Sequence, residues 1–273
     1  MPVKGIRYTE VRRNFKNGVA FNEDGYQLEP EWRFSFLSDD SVNIYNPKRK
    51  MFVNAPVLFD HDSLFNIAWS WMRLRKLTRD SISFQIMKVE GRSLMRDQSV
   101  VYMTLYADDY IKNKLHTTAA ALMKPTRADT LFIQRKTALA NKDTSKAFSA
   151  REPAVLTSKT KLLTIEPINS LTVDEIREGV NQGYMLPEYN ISIKNAYDDF
   201  KYSFSVRVDA DGSLHFLRSV IFLYPEFVAS YNRAMRGITD GYLSAYLNVK
   251  PGTTLGIPHA CFIIVNVNGT KKG

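Results

Sequence analysis

Cysteine is nearly absent from this chain of 273 residues, which has only Cys261. One cysteine cannot form an internal disulfide or supply a cysteine-rich zinc site. The lack of an internal disulfide is typical of proteins in a reducing compartment. No apolar run approaches the roughly 20 residues of a membrane-spanning helix, and the N-terminus lacks the apolar stretch of a secretory signal. We therefore expect a cytoplasmic or nuclear protein that is not secreted and has no transmembrane segment.

Phosphate-binding glycine loops are also missing. Neither the G-x-x-x-x-G-K-S/T pattern nor the G-x-G-x-x-G pattern occurs, which argues against the common nucleotide-dependent enzymes. We predict no cofactor.

Candidate metal ligands are few and scattered. Acidic neighbours occur at Asp60-His61-Asp62, Asp108-Asp109 and Asp198-Asp199. Adjacent residues of a strand point to opposite faces, so none of these groups makes a metal site by itself. A metal-dependent hydrolase built from dispersed residues such as His61 and Asp108 stays open as an alternative, but we assign no metal ligand.

His259 and Cys261 are two residues apart and would share one face of a strand. A thiol beside an imidazole is the start of a cysteine nucleophile. The surrounding residues are apolar, however, which favours a small buried side chain for Cys261. We assign no catalytic residue, and an enzyme is not the favoured interpretation.

The sequence is organised around residues 63–89, where its densest apolar run passes into its densest basic run. Residues 64–77 fit two periods. A strand would place Phe65, Ile67, Trp69 and Trp71 on one face, whereas a helix would gather the polar residues on one side. We favour the helix, and either interpretation buries both tryptophans. Residues 82–89 alternate as a strand.

Positive charge is concentrated in one tract. The formal net charge is +9, and residues 112–161 contain eleven basic residues against three acidic ones. Clustered cations favour a polyanionic partner. The residues predicted to bind nucleic acid are Arg73, Arg75, Lys76, Arg79, Lys124, Arg127, Arg135, Lys136, Lys142, Lys146, Arg151, Lys159 and Lys161.

Many short alternating segments and about three or four helices predict an α+β fold in which β-structure dominates, with an antiparallel sandwich or jelly-roll-like body. Residues 1–16 are predicted to be a basic arm and residues 17–273 a single domain, with a mobile loop or linker at 138–153. Further predictions are strands at 130–137 and 242–249, a hairpin joining 202–208 to 214–223, and helices at 172–183 and 226–236.

These features together favour a non-enzymatic structural or assembly protein that binds RNA or single-stranded DNA through phosphate contacts. A viral coat, nucleoprotein or movement protein would have this character, and we expect a homo-oligomer. A matrix-like protein that binds an acidic membrane surface and self-associates requires the same cations and is the first alternative.

Overall fold

The chain folds as two compact units in a computed structural model that describes residues 3–91, 93–168 and 183–271. The first unit contains Met1–Asn22 and Gln27–Asp129, and the second contains Glu23–Tyr26 and Thr130–Gly273. The sequence indicated one domain over residues 17–273, whereas the structure divides that range between two units.

The first unit is a closed, barrel-like sheet in which each strand is antiparallel to its neighbours and the last strand pairs with the first. Its strands are β1 (Arg7–Phe15), β2 (Arg33–Phe36), β3 (Ser41–Asn46), β4 (Met51–Phe59), β5 (Leu64–Ile67), β6 (Ser70–Leu77), β7 (Ser81–Ile86) and β10 (Val101–Ala107). A small hairpin of β8 (Lys88–Glu90) and β9 (Ser93–Met95) precedes β10.

Strand alternation fills the interior of this sheet. Successive side chains point to opposite faces, so every second residue enters a core that excludes water. The largest side chains of this core are Tyr8, Phe34, Phe36, Phe65, Phe84, Met72 and Met103. Each large side chain removed from water contributes roughly 1.5 to 3 kcal/mol.

The predicted N-terminal arm is instead part of this sheet. Arg7–Phe15 forms β1, which pairs with β2 on one side and β10 on the other. Tyr8 and Val11 are buried, whereas Arg7 before them is exposed and Arg12 and Arg13 after them are partly exposed. The alternation is broken by a bulge between Glu10 and Arg12, which is why a simple period-2 pattern does not reveal the strand.

Residues 64–77 form the hairpin of β5 and β6, so the favoured helix is wrong. Ile67 pairs with Ser70, which leaves Ala68 and Trp69 as the two residues of the turn. Both have positive φ, 48° and 71°, a conformation usually given to Asn-Gly. The turn also corrects the expectation that both tryptophans are buried, since the Trp69 side chain is 82% exposed.

The helix Arg127–Lys142 replaces the strand predicted at residues 130–137 and part of the loop predicted at 138–153. Thr126 and Asp129 form a reciprocal cap: the Asp129 amide donates to Thr126 Oγ1 at 3.3 Å, and the Thr126 amide donates to Asp129 Oδ2 at 2.7 Å. This capping box is a helix-start signal that outweighs the short alternating pattern after it. Beyond the helix, Phe148 and Ala150 are buried rather than part of an open loop.

Asp129, the last residue of the first unit, is held by other residues of that unit. Its carboxylate receives two hydrogen bonds from the Arg12 guanidinium, at 2.6 and 2.9 Å, and one from the Ala20 amide at 2.7 Å. The Asp129 side chain is fully buried, so these donors compensate for the loss of water.

The second unit is built on a five-stranded sheet whose strands follow the order β12 (Leu163–Ile168), β13 (Glu188–Ala196), β19 (Cys261–Lys271), β14 (Phe200–Val208) and β15 (Leu214–Ser219). The pair β13 and β19 is parallel. The unit also contains β11 (Val155–Ser158), β16 (Leu247–Lys250), β17 (Thr253–Thr254) and β18 (Ile257–Pro258). A helix at Pro225–Gly237 continues into a π-helix at Ile238–Leu243 and a short turn of helix at Ser244–Tyr246.

Several short elements complete the two units. They are 3-10 turns at His61–Ser63, Arg96–Gln98, Thr144–Lys146 and Gly183–Met185, a π-helical turn at Tyr110–Lys114 and a helix at Ala119–Leu122.

The β-dominant α+β prediction is confirmed, as are the β14–β15 hairpin and the helix at 226–236. The sandwich is not confirmed, since the largest sheet closes on itself. The strand predicted at 242–249 is mostly helical, and only Leu247–Lys250 is extended. The helix predicted at 172–183 lies outside the described residues except for Gly183. Within the described ranges, no helix combines the length and apolar character needed to cross a membrane.

Replacing the turn Ala68-Trp69 by Asn-Gly should stabilise the first unit by about 0.5 to 1 kcal/mol, because those residues adopt positive φ with less strain. All three tryptophans lie in this unit at positions 32, 69 and 71, so urea unfolding followed by tryptophan fluorescence reports it alone. A lower midpoint would mean that the Trp69 ring itself stabilises the fold.

Asp129→Asn should lower the free energy of unfolding of the first unit by about 2 to 4 kcal/mol at pH 7. Burial opposes ionisation of Asp129, but the hydrogen bonds from Arg12, Ala20 and Thr126 outweigh it and lower the pKa of this carboxyl. The stabilisation is therefore present above about pH 4 and disappears as the pH falls through the folded-state value.

The same urea titration at pH 7 and at decreasing pH measures both effects. The difference between wild type and Asp129→Asn should shrink with acidity. Exposed Asp109→Asn is the control, and equal losses in the two variants would contradict the role of Asp129.

Candidate polyanion-binding surface

The predicted nucleic-acid-binding residues are divided between the units. The first unit contains Arg73, Arg75, Lys76, Arg79, Lys124 and Arg127, and the second contains Arg135, Lys136, Lys142, Lys146, Arg151, Lys159 and Lys161. Each unit must therefore be assessed as its own surface.

In the first unit, β6 presents its cations on the outside of the closed sheet. Arg73 pairs with Gln85 and Lys76 with Ser83, while the core residues Met72 and Leu74 alternate with them. A bulge between Leu74 and Lys76 exposes the intervening Arg75 as well. Arg73 is partly exposed, and Arg75, Lys76 and Arg79 are exposed.

In the second unit, several predicted cations have partners within the protein. Lys136 Nζ lies 2.9 Å from Glu23 Oε2 and 4.8 Å from the centre of the Phe148 ring, and its side chain is 13% exposed. The Arg151 guanidinium lies over the Tyr184 ring at 4.5 Å. These contacts stabilise the second unit and make Lys136 and Arg151 poor donors for an external phosphate.

A more organised cationic surface lies on β1–β4 of the first unit. The Arg33 guanidinium lies 4.2 Å from the centre of the Tyr45 ring, and the Arg7 guanidinium 4.3 Å from the centre of the Phe52 ring. The two rings contact each other edge to face at 5.3 Å. We name these four residues the Arg–aromatic row.

Strand register explains how the row forms. Tyr45 of β3 pairs directly with Phe52 of β4. Phe34 of β2 pairs with Ile44 of β3, so Arg33, which precedes Phe34, lies opposite Tyr45, which follows Ile44. Phe34 and Ile44 are buried in the core, so the residues beside them point outward.

Three more cations lie at the turn that joins β3 to β4. Lys48, Arg49 and Lys50 are exposed, and the Arg49 amide donates to Asn46 Oδ1 at 3.0 Å. We name them the basic turn. Residues 41–59, which include both strands, contain no acidic residue, so nothing on this hairpin offsets the positive charge.

The acidic residue of β1 faces away from this surface. Glu10 is fully buried and accepts two hydrogen bonds from Arg13, at 2.8 and 2.7 Å, and others from the amides of Glu31 and Trp32. Its charge is thus neutralised inside the unit.

Negative charge begins beside Arg33. A cavity of about 610 Å³ is lined by Arg33, Thr9, Glu31, Asp108 and the apolar Ile111, among others. Burial raises the pKa of Glu31, with a smaller opposing effect from Arg13. This cavity marks the boundary of the positive surface.

The sequence contained only part of the signal for this surface. The excess of positive charge was evident, but Arg7, Arg33, Tyr45 and Phe52 were not among the residues predicted to bind nucleic acid. The pairing of Tyr45 with Phe52 depends on the length of the turn, and the approach of Arg7 depends on the neighbouring strands. A residue-by-residue scan cannot supply that register.

Among the described residues, the acidic and histidine side chains considered as metal ligands do not come together. In the described part of the chain, no group of three or more His, Cys, Asp or Glu residues could hold a metal ion. The Asp60 carboxylate forms a hydrogen bond with the side chain of the neighbouring His61. The Asp62 carboxylate accepts a hydrogen bond from Arg96 at 2.7 Å.

His259 and Cys261 are both buried in the second unit. The His259 imidazole stacks on the Phe148 ring with 3.8 Å between the ring centres, and His259 Nε2 lies 2.9 Å from Thr254 Oγ1. Burial lowers the pKa of His259 and raises the pKa of Cys261 to about 11. Both shifts favour the neutral forms, which is the opposite of an activated thiolate and imidazolium pair.

No protein-family model matches this chain, and no curated protein is similar enough to it to be a match. The surface must therefore be interpreted from its own geometry.

Cys261 should resist alkylation by iodoacetamide at pH 8 in the folded protein and react fully in urea, because the thiol is buried and protonated. Mass spectrometry of the alkylated chain measures the reacted fraction directly, since there is only one cysteine. Rapid labelling of the native protein would contradict the buried, neutral state.

Proposed function

We propose that the first unit is a non-enzymatic binding unit for single-stranded nucleic acid, which it contacts through the Arg–aromatic row and the basic turn. The observation that carries the proposal is the pair of guanidinium groups held over the rings of Tyr45 and Phe52. Within residues 3–91, 93–168 and 183–271, the ion pairs do not include either Arg7 or Arg33.

A guanidinium that lies on a ring is oriented before any ligand arrives. Its planar N–H groups point outward at the edge, where they match the oxygens of a phosphate. Its free face can stack on an unpaired base, as arginine does in many complexes with single-stranded RNA. The row thus offers phosphate contacts and stacking contacts side by side, which is the combination that sequence-tolerant single-strand binding requires.

The basic turn adds three flexible cations to the same hairpin. Such side chains neutralise phosphates and release counterions, so binding should weaken steeply as salt increases. The cations of β6 belong to the same unit and extend the positive charge around its outside. This supply of charge supports a polymer as the ligand rather than a single phosphate group.

An acidic membrane surface is the competing partner. The 82% exposed Trp69 side chain favours it, because tryptophan partitions into the membrane interface. Trp69 is not a member of the Arg–aromatic row, so the two partners depend on different residues. The viral and assembly parts of the sequence-based expectation stay predictions.

Arg7→Gln together with Arg33→Gln should weaken binding of a short fluorescent single-stranded oligonucleotide at least tenfold and reduce the salt slope by about 1.4, because two phosphate contacts are lost and each contributes about 0.7 on a single strand. Fluorescence anisotropy over a range of salt concentrations measures both quantities. The matched control is Lys194→Gln with Lys201→Gln, two exposed lysines of the second unit, which should leave binding unchanged.

A second variant tests the rings without changing charge. Tyr45→Leu with Phe52→Leu keeps the surface apolar but removes the platforms for the guanidinium groups, and it should weaken binding with an unchanged salt slope. Tryptophan fluorescence verifies that the first unit remains folded. A shallow salt slope for the wild type, equal binding by the arginine variant and its control, or preference for vesicles of anionic lipid over the oligonucleotide would each overturn the proposal.

A further inference from the structure

The second unit has a concentrated apolar surface that is unrelated to the cationic surface of the first. It lies in residues 217–228, at the end of β15 and the start of the helix Pro225–Gly237. We name it the apolar segment. Its exposed apolar side chains are Leu217, Val220, Ile221, Phe222, Tyr224, Phe227 and Val228.

Local structure forces these side chains outward. At the end of β15, the Ser219 hydroxyl accepts a hydrogen bond from the Ile221 amide at 3.2 Å and donates one to the Ile221 carbonyl at 2.9 Å, which turns the chain. Leu223 packs on the core of the second unit, so its neighbours Phe222 and Tyr224 project the other way. Phe222 is 81% exposed and Tyr224 is 63% exposed, and the centres of their rings are 5.5 Å apart.

The size of this surface is that of a protein interface. Seven such side chains expose apolar area on the order of 700 Å², with the aromatic rings contributing most of it. A standard interface buries about 800 Å² on each partner, and an apolar patch above a few hundred Å² on a monomer marks an interaction site.

The charges around the segment favour a second copy of the chain as the partner. Residues 219–232 contain a single charged residue, Glu226, and arginines flank them at Arg218 and Arg233. A twofold arrangement brings the same patch together from both copies. Each Glu226 can then approach an arginine of the other copy. The net charge of the chain is +9, but its other basic residues lie outside residues 219–232, so they do not repel each other within the contact.

We infer that the apolar segment is the self-association surface of this protein, which forms a twofold symmetric dimer through Phe222 and Tyr224. The inference is independent of the proposed nucleic-acid binding, since it involves the other unit and a different kind of contact. Burial of apolar area should make the dimer persist at high salt, under conditions in which phosphate contacts weaken.

Sedimentation equilibrium of the full chain at high salt tests the inference without interference from nucleic acid. The wild type should approach twice the 31.3 kDa chain mass as its concentration increases into the micromolar range. Phe222→Ser with Tyr224→Ser should sediment as a monomer over the same range. Trp69→Ser is the matched control, because Trp69 is as exposed as Phe222 but lies in the first unit, and it should remain a dimer.

Circular dichroism and the melting temperature verify that the double variant is folded, as expected for residues that project into solvent. Arg218→Glu provides a second test with little risk to folding, since it would place like charges opposite each other and should weaken the dimer at low salt. A wild type that stays monomeric, or a double variant that dimerises as strongly as wild type, would overturn the inference. Binding of Phe222 to lipid vesicles without self-association would also overturn it.

Discussion

Closure of the eight-stranded sheet is the constraint on which the rest of the first unit depends. The ladder between β1 and β10 extends from Tyr8 opposite Ala107 to Phe15 opposite Val101. Without it both strands would be open edges with unpaired amide and carbonyl groups. With it, every position on the sheet is assigned to the inside or the outside, because the side chains alternate.

That assignment separates opposite charges. Glu10 is buried with Arg13, and Asp129 is buried with Arg12, so two carboxylates of this unit are neutralised away from solvent. Such pairs do little for net stability compared with apolar packing, but removing one partner is costly. Their position leaves the outer wall of β1–β4 with the arginines of the Arg–aromatic row and no acidic residue on the β3–β4 hairpin. The second unit has a different exposed feature, an apolar segment of nearly neutral charge beside its sheet.

Sequence patterns succeeded where one local signal dominated. The turn at residues 209–212 defined the β14–β15 hairpin, and the pattern at 226–236 predicted a helix that the structure contains. They failed where two signals competed. Residues 64–77 fit a helix and a strand equally well until the partners β4 and β7 are known. The alternation at 130–137 concealed a helix that Thr126 and Asp129 had already capped. For the candidate surface, the sequence selected the cations of β6 but not the Arg–aromatic row, because that row joins residues as distant as Arg7 and Phe52.

The sequence by itself determined the dominance of β-structure, the excess of positive charge and the lack of a disulfide, since these follow from composition and local periodicity. Only the tertiary structure decided that the strands close on themselves, that Trp69 is exposed while Glu10 is buried, and that two arginines lie over two neighbouring rings. The physical reason is that strand pairing is non-local. A period of two fixes which residues share a face, but only the register with the neighbouring strands fixes which face is buried and which side chains meet across it.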